Sequence, residues 1–317
     1  MSQRYHAASA PANARGRQRR GECVMQNTVG VIGLGTMGGA MARNLVAAGW
    51  RVLGYDIVTE RRTELAAAGV ELPPDVASLA RVAPVLLFSL PSPAAALATA
   101  AAIAAAGAER RVVIEASTLT LKDKLTIESV LRAAGHVALD CPISGTGAQA
   151  ISKDLVIYAS GDAQSIAACR PLFAGFSRAV HDVGAFGNGS KMKFVANLLV
   201  AIHNVASAEA MVLSVKAGLD ARQVVDLVTA GAGTSRVFEL RAPMMAARNY
   251  LPASMKMELW QKDMAIISQY AAELGCPTPL LSATMPIYAA AMANGHAAED
   301  TAAVCAVLEA MAGISGT

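Results

Sequence analysis

The chain of 317 residues is poor in aromatic side chains, which make up only 4% of it although 54% is hydrophobic. A core with so few rings must be filled mainly by Ala, Val, Leu, Ile and Met. Because alanine loses no side-chain entropy in a helix, this composition favours closely packed helices. The length predicts about two domains of roughly 150 residues each.

The cysteines show no pairing pattern. Their number is odd and no C-x-x-C pair occurs, which excludes a disulfide framework and a cysteine zinc site. No cluster of His, Cys or carboxylate residues has metal-ligand spacing, so no metal is predicted. This usage suits a reducing compartment, and we expect a cytoplasmic protein. The five cysteines are Cys23, Cys141, Cys169, Cys276 and Cys305.

The sequence also lacks long apolar runs, and it has no excess of basic residues after residue 24. No uninterrupted apolar stretch approaches the length of a membrane span, so no membrane partner is predicted. Residues 1–24 hold five arginines and one glutamate, a formal charge of +4 against +3 for the whole chain, so the remainder is near −1. Nucleic-acid binding requires a basic stripe on the folded domain, and none is predicted.

Residues 1–24 have no apolar periodicity and are predicted to be a disordered leader outside the fold. Their arginine-rich, acid-poor composition fits a transit peptide. The alternatives are a leftover leader, or a start-site artefact upstream of a natural start at Met25.

From Thr28 to Val183, short apolar runs alternate with helical stretches. This alternation predicts a Rossmann-type, doubly wound, mostly parallel sheet covered on both faces, within a domain of residues 25–187. The predicted strands are Val29–Ile32, Val52–Tyr55, Val85–Leu90, Val112–Glu115, Val137–Asp140, Leu155–Ala159 and Ala179–Val183.

After Gly187 only helical patterns remain, which predicts an all-α C-terminal domain of residues 188–317 for substrate binding and oligomerisation. Its first element is a long interdomain helix, residues 190–217. The segment Val195–Leu213 is apolar on almost every face, which the surface of a monomer would not tolerate. We therefore expect a homo-oligomer, either a homodimer or a homotetramer.

A dinucleotide fingerprint follows the first predicted strand. The spacing G-x-G-x-x-G is a weak signal alone, but here it opens a helix directly after a strand. The glycines permit a tight turn, close approach to a pyrophosphate and close helix–strand packing. The helix N-terminus offers free N–H groups to phosphates. The predicted cofactor-binding residues in this turn are Gly33, Leu34, Gly35, Thr36, Met37 and Gly38.

Asp56, at the end of the second predicted strand, indicates the choice of cofactor. Its carboxylate would accept hydrogen bonds from the ribose hydroxyls and repel a 2′-phosphate. Arg61 and Arg62 lie nearby in sequence and leave NADP open. The acid occupies the strand end itself, so NAD is the predicted cofactor and NADP is disfavoured.

Four segments in the same order resemble the β-hydroxyacid dehydrogenase family, which includes 3-hydroxyisobutyrate dehydrogenase, tartronate semialdehyde reductase and L-threonate dehydrogenase. The resemblance covers about residues 28–308. The segments are the glycine turn at Gly33–Leu45, D-x-P-x-S-G at Asp140–Gly145, G-x-G-x-x-x-K at Gly187–Lys193, and K-D-M at Lys262–Met264.

The resemblance implies an NAD-dependent enzyme that reversibly oxidises a small 3-hydroxycarboxylic acid to its semialdehyde or keto acid. Lys193 would be the general acid and base. Asn197, one helical turn later, would orient the amine or hold a substrate oxygen. Substrate binding would fall to Ser144, Gly145 and Thr146. Further cofactor contacts are expected at the strand ends and beside the nicotinamide, at Leu90, Pro91, Ser117, Thr118 and Lys262.

Two positions depart from the family pattern. Thr146 stands where the family usually has a second glycine, and Ala196 stands where it usually has the first of two asparagines. Both lie where substrate is expected, so they bear on substrate identity. The alternatives are an inactive NAD(H)-binding scaffold and an imine-type reductase, both of which the presence of Lys193 disfavours. A 6-phosphogluconate dehydrogenase is disfavoured despite the similar NAD-binding half, because those chains have a much longer helical domain.

Overall fold

A computed structural model describes residues 27–314, and the predicted leader of residues 1–24 lies outside them. The first half of the chain forms a parallel sheet of five strands in the order β2-β1-β3-β4-β5. The strand order reverses between β1 and β3, which is where α/β folds bind ligands. The strands are β1 (Thr28–Ile32), β2 (Arg51–Tyr55), β3 (Val85–Phe88), β4 (Val112–Glu115) and β5 (Val137–Asp140).

Helices cover both faces of this sheet, as the alternation predicts. One apolar cluster includes Met41, Leu45 and Phe173. The cluster on the opposite face includes Leu79 and Ile103. The Rossmann-type fold is therefore confirmed. The helices of this half are α1 (Thr36–Ala47), α2 (Thr59–Ala67), α3 (Val76–Val82), α4 (Pro93–Ala105), α5 (Leu121–Ala133), α6 (Gly147–Ile151) and α7 (Ala163–Ala174).

The last two predicted strands do not extend the parallel sheet. They form a separate sheet in the order β6-β7-β8, where β6 (Ile143–Ser144) pairs antiparallel to β7 (Val156–Ala159) and β8 (Ala179–Asp182) pairs parallel to it. Only two residues separate β5 from β6, and Ser160 makes an antiparallel bridge to Asp140. An antiparallel partner at this point cannot continue the parallel ladder of β5.

The second half consists of helices packed around α8 (Asn188–Lys216). By length and composition α8 is the one helix of residues 27–314 that is apolar enough to cross a membrane, with a mean hydropathy of 1.7. It packs centrally against α10, α11, α12 and α13. The remaining elements are α9 (Ala221–Thr229), α10 (Arg236–Ala246), α11 (Met257–Glu273), α12 (Pro279–Ala293), a 3-10 turn (Thr301–Ala303) and α13 (Val304–Met311).

Candidate active site

At two positions of the glycine turn, the backbone leaves no room for the Cβ of any other residue. Gly33 has a φ of +85°, and a Cβ there would lie 2.6 Å from the carbonyl oxygen of Ser89. A Cβ on Gly38 would collide with the Gly33 carbonyl oxygen. Gly35 differs, because its nearest neighbour would be the Arg61 guanidinium at 3.7 Å. The protein leaves that side of Gly35 open, as the close approach of a pyrophosphate requires.

Asp56 is buried and holds the same turn. Its Oδ2 accepts a hydrogen bond from the Leu34 N–H at 2.7 Å, and its Oδ1 accepts from the Val58 N–H at 2.8 Å. Arg61 lies 3.5 Å from Oδ2 with half of its side chain exposed. Arg62 instead stacks on the Tyr55 ring at 5.4 Å. Sequence reasoning gave Asp56 a ligand role only, and the structure adds a role in shaping the turn.

The carboxyl edge of the sheet brings Leu90 and Ser117 together. The Leu90 N–H donates to Ser117 Oγ at 2.8 Å, and the Ser117 N–H donates to Glu115 Oε1 at 2.8 Å. Pro91 lies exposed directly after Leu90. The predicted residues after β3 and β4 therefore share one edge of the fold, next to the glycine turn that follows β1.

Lys193 is buried in the second turn of α8, and Asn197 is buried one turn later on the same face. Asn197 Nδ2 donates to Asp263 Oδ2 at 3.0 Å. Burial lowers the pKa of Lys193 below its ordinary value; the carboxylate of Asp263 opposes that shift and the charge of Lys262 adds to it. Lys191, two residues earlier, is exposed. The lowered pKa increases the neutral fraction of the Lys193 amine.

Lys262 connects the segment after β4 with the group of residues around Lys193. Its Nζ donates to the Thr118 carbonyl oxygen at 2.7 Å and lies 3.5 Å from Asp263 Oδ1. Burial raises the pKa of Asp263, with the two lysines opposing that shift. The structure places the Asp263 carboxylate among Lys193, Asn197 and Lys262.

The predicted substrate loop lies against the start of α1. Gly145 has a φ of +137°, and the Thr146 N–H donates to Gln149 Oε1 at 3.1 Å where α6 begins. A Cβ on Gly147 would lie 2.6 Å from Thr36 Cγ2, so the loop contacts the glycine turn. Within residues 27–314, no hydrogen bond joins Ser144, Gly145 or Thr146 to Lys193.

Sequence reasoning missed an ionic cluster beneath this edge. Lys124 of α5 is fully buried and forms ion pairs with Glu115 and with Asp140. Asp140 also accepts hydrogen bonds from Ser190 in the first turn of α8. Lys124 looks like an ordinary helix charge in the sequence, and only the pairing of β4 with β5 brings both carboxylates to it.

The two halves of the chain each match a known family. Residues 28–184 match the NAD-binding domain of 6-phosphogluconate dehydrogenase. Residues 187–308 match a family described as the NAD-binding domain of NADP-dependent 3-hydroxyisobutyrate dehydrogenase. The two matches follow one another along almost the whole described chain.

The similarity extends over nearly the full length of individual relatives. An L-threonate dehydrogenase of Cupriavidus necator is 32% identical, over 88% of this chain and 95% of its own length. An NAD-dependent L-serine dehydrogenase of Pseudomonas aeruginosa is 28% identical, over 87% and 96%. Among solved structures, 3-hydroxyisobutyrate dehydrogenase of Mycobacterium tuberculosis with L-serine superposes with a TM-score of 0.81 at 28% identity, covering 89% of this chain and 98% of the other.

Proposed function

The chain belongs to the β-hydroxyacid dehydrogenase family, and from that membership we propose that it reversibly oxidises a small 3-hydroxy acid with Lys193 as general acid and base. The observation that carries this proposal is the Lys193 amino group, which is buried, has a lowered pKa and shares a helix face with Asn197. An exposed lysine would be almost wholly protonated at neutral pH. Burial favours the neutral form that a base requires.

Lys193 is proposed to transfer the proton, and Asn197 to orient the reacting groups. In the oxidation direction, the neutral amine takes the hydroxyl proton as the substrate carbon loses its hydride. In the reduction direction, the ammonium form returns that proton. Asn197, held by Asp263 at 3.0 Å, orients the amine or a substrate oxygen. The semialdehyde or keto acid is the product of oxidation.

The residues of the glycine turn fit a dinucleotide, which when bound accepts or supplies the hydride. The open side of Gly35 and the N-terminus of α1, whose first turn holds no acidic residue, receive the pyrophosphate. Asp56 receives the adenosine ribose, and Lys262 with the two strand ends receives the nicotinamide half. The proposed contacts are Gly33, Leu34, Gly35, Thr36, Met37, Gly38, Asp56, Leu90, Pro91, Ser117, Thr118 and Lys262.

We expect NAD as the cofactor and NADP as the poorer one. The carboxylate of Asp56 is buried at the strand end, where a 2′-phosphate would meet its charge. Arg62 is occupied by the Tyr55 ring and by the Pro73 carbonyl oxygen. Arg61 stays half exposed beside the turn, and it is the residue that would support residual use of NADP.

The substrate is a small hydroxycarboxylic acid. The names of the relatives include L-threonate, 3-hydroxyisobutyrate and L-serine, which share a carboxylate and a hydroxyl group on a short chain. Ser144 and the N–H group of Gly145 are proposed to bind the carboxylate in the turn after β6, beside Thr146. The side chain of Thr146 and the missing amide at Ala196 would restrict which acid fits.

The two domains are proposed to have different roles. Residues 25–187 would bind the dinucleotide, and residues 188–317 would supply Lys193 and the oligomer interface. The protein would act in the cytoplasm, away from nucleic acid and membranes, as a homodimer or homotetramer. The exposed apolar residues of α8, among them Val195 at 55% and Leu199 at 47% exposure, support an interface there.

A substrate panel tests this function. Purified protein would be assayed with 3-hydroxyisobutyrate, D-glycerate, L-threonate and 4-hydroxybutyrate, each with NAD⁺ and with NADP⁺. We expect turnover of at least one 3-hydroxy acid, faster with NAD⁺. Tight NADH binding without turnover of any acid would support the inactive scaffold, and reduction of a cyclic imine in place of the acids would support the imine-type reductase.

A further inference from the structure

Three buried charges lie beneath the carboxyl ends of β4 and β5. Glu115 and Asp140 are direct register partners on the two strands. The Lys124 Nζ lies 2.9 Å from Asp140 Oδ1 and forms an ion pair with Glu115. Burial alone would lower the pKa of Lys124, but the two carboxylates outweigh it and raise that pKa. The lysine therefore stays charged between two acids that would otherwise repel one another.

Besides its ion pair with Lys124, the Asp140 carboxylate accepts hydrogen bonds from the first turn of α8. Its Oδ2 accepts from the Ser190 N–H at 2.8 Å, and its Oδ1 accepts from the Ser190 hydroxyl at 2.9 Å. The Gly189 N–H donates to Ser160 Oγ at 2.9 Å, which in turn donates to the Asp140 carbonyl oxygen. These bonds satisfy N–H groups that a helix N-terminus leaves unpaired. Ser190 lies one helical turn before Lys193.

Glu115 forms the other arm of the cluster. Its Oε1 accepts from the Ser117 N–H, and Ser117 Oγ accepts from the Leu90 N–H. Lys124 thus stands between the edge proposed to hold the nicotinamide half and the helix that carries Lys193.

We propose that Lys124 is a positioning residue that fixes the Lys193 amino group by holding Asp140 in the conformation that receives Ser190. This inference rests on the proposed function. Without the lysine charge, one of the two adjacent carboxylates must take up a proton or turn away. A displaced Asp140 no longer accepts both donors of Ser190, and the first turn of α8 loosens. Lys193 then loses its fixed position relative to the carboxyl edge of the sheet, where the nicotinamide half is proposed to bind.

Two variants and one matched control separate positioning from general stability. Lys124→Met keeps the side-chain length and removes the charge. Ser190→Ala is milder and removes only one of the bonds to Asp140. Leu131→Ala is the control, because it is fully buried on the same helix α5 and belongs to an apolar cluster without these charges. The control would lower stability while leaving the Asp140–Ser190 bonds in place.

The first measurement is hydrogen–deuterium exchange of residues 188–193 without substrate. We expect Lys124→Met to speed exchange there by roughly tenfold relative to the control. The second is steady-state kinetics, in which Lys124→Met lowers kcat by roughly 10- to 100-fold while KM changes by less than about threefold. Ser190→Ala would show the same pattern with a smaller loss.

Unchanged exchange in residues 188–193 of Lys124→Met would overturn the inference. An equal kcat loss in Leu131→Ala would also overturn it, because general destabilisation would then suffice. If Lys124→Met does not fold, wild-type exchange and kcat in Ser190→Ala would overturn it instead. A wild-type protein that turns over no hydroxy acid would refute the proposed function alone, since the exchange result is obtained without substrate.

Discussion

Among single residues, Asp263 is the charge that opposes the effect of burial on Lys193. Its carboxylate raises the Lys193 pKa against the larger lowering by burial. The base must be neutral for oxidation, so kcat/KM for oxidation should fall as the pH drops through the Lys193 pKa. That fall should lie below the ordinary lysine value near 10.5.

Asp263→Asn should move this fall to lower pH, because the carboxylate that raises the Lys193 pKa is removed while an acceptor for Asn197 remains. The check is the pH profile of kcat/KM for oxidation in the variant and in wild type. Glu273→Gln, an exposed charge at the end of the same helix, is the control and should leave the profile in place. A shift to higher pH would contradict the assigned role of Asp263.

Asp56 is the residue proposed to bind the adenosine ribose and to disfavour NADP. Asp56→Asn should weaken NADH binding by roughly tenfold and narrow the preference for NAD⁺ over NADP⁺, because repulsion of a 2′-phosphate is removed beside Arg61. Dissociation constants for NADH and NADPH measured by fluorescence titration test this. An unchanged ratio of the two constants would show that Asp56 only holds the turn.

Functional residues that lie in a local sequence motif can be predicted from the sequence. Residues that come together only when distant segments pack against one another cannot. The glycine turn and Lys193 lie in local motifs, and the structure places each of them at the carboxyl edge of the sheet or in the buried start of α8. Lys124 has no such signature, since its burial depends on two strands pairing in register. The second role of Asp56, as the acceptor for Leu34, likewise arises only from folding.

At the scale of elements, the start of α8 is set by close backbone packing. A Cβ on Gly189 would lie 2.6 Å from the Asp140 carbonyl oxygen and would collide with that of Tyr158. Gly189→Ala should therefore push α8 away from β5 and β7, lowering stability by about 2 kcal/mol and kcat by at least tenfold.

Chemical unfolding and kinetics of Gly189→Ala test this packing. Gly231→Ala is the matched control, because its Cβ would find no atom nearer than 3.5 Å. Wild-type stability and wild-type kcat in Gly189→Ala would show that this close packing does not position the start of α8.

Long elements could be predicted from periodicity, and short ones could not. The first five predicted strands and the predicted long helix of residues 190–217 correspond to observed elements within about two residues at each end. The five-residue α6 and the two-residue β6 have too few residues to show a period. The sequence predicted two strands of the second sheet, β7 and β8, but it did not predict β6 or the separation of these strands from the parallel sheet.

At the scale of the whole molecule, the exposed apolar face of α8 bears on assembly. Met192, Val195, Leu199 and Leu213 are all at least 37% exposed in the single chain. Four such residues along one helix would be covered at an interface between copies.

The double variant Val195→Glu with Leu199→Glu should dissociate the oligomer, because each carboxylate would have to be buried without a partner. Light scattering coupled to size-exclusion chromatography gives the mass. Leu125→Glu, on a similarly exposed residue of α5, is the control and should leave the mass unchanged. A wild-type protein that is already a monomer would contradict the proposed interface.

The buried amine of Lys193 is proposed to transfer the proton, and Lys193→Ala removes that amine alone. The measurement pairs kcat for the best hydroxy acid with the dissociation constant for NADH in the same preparation. We predict a kcat loss of at least about 1000-fold with NADH binding within about threefold of wild type. Turnover close to wild type in Lys193→Ala would show that another group transfers the proton.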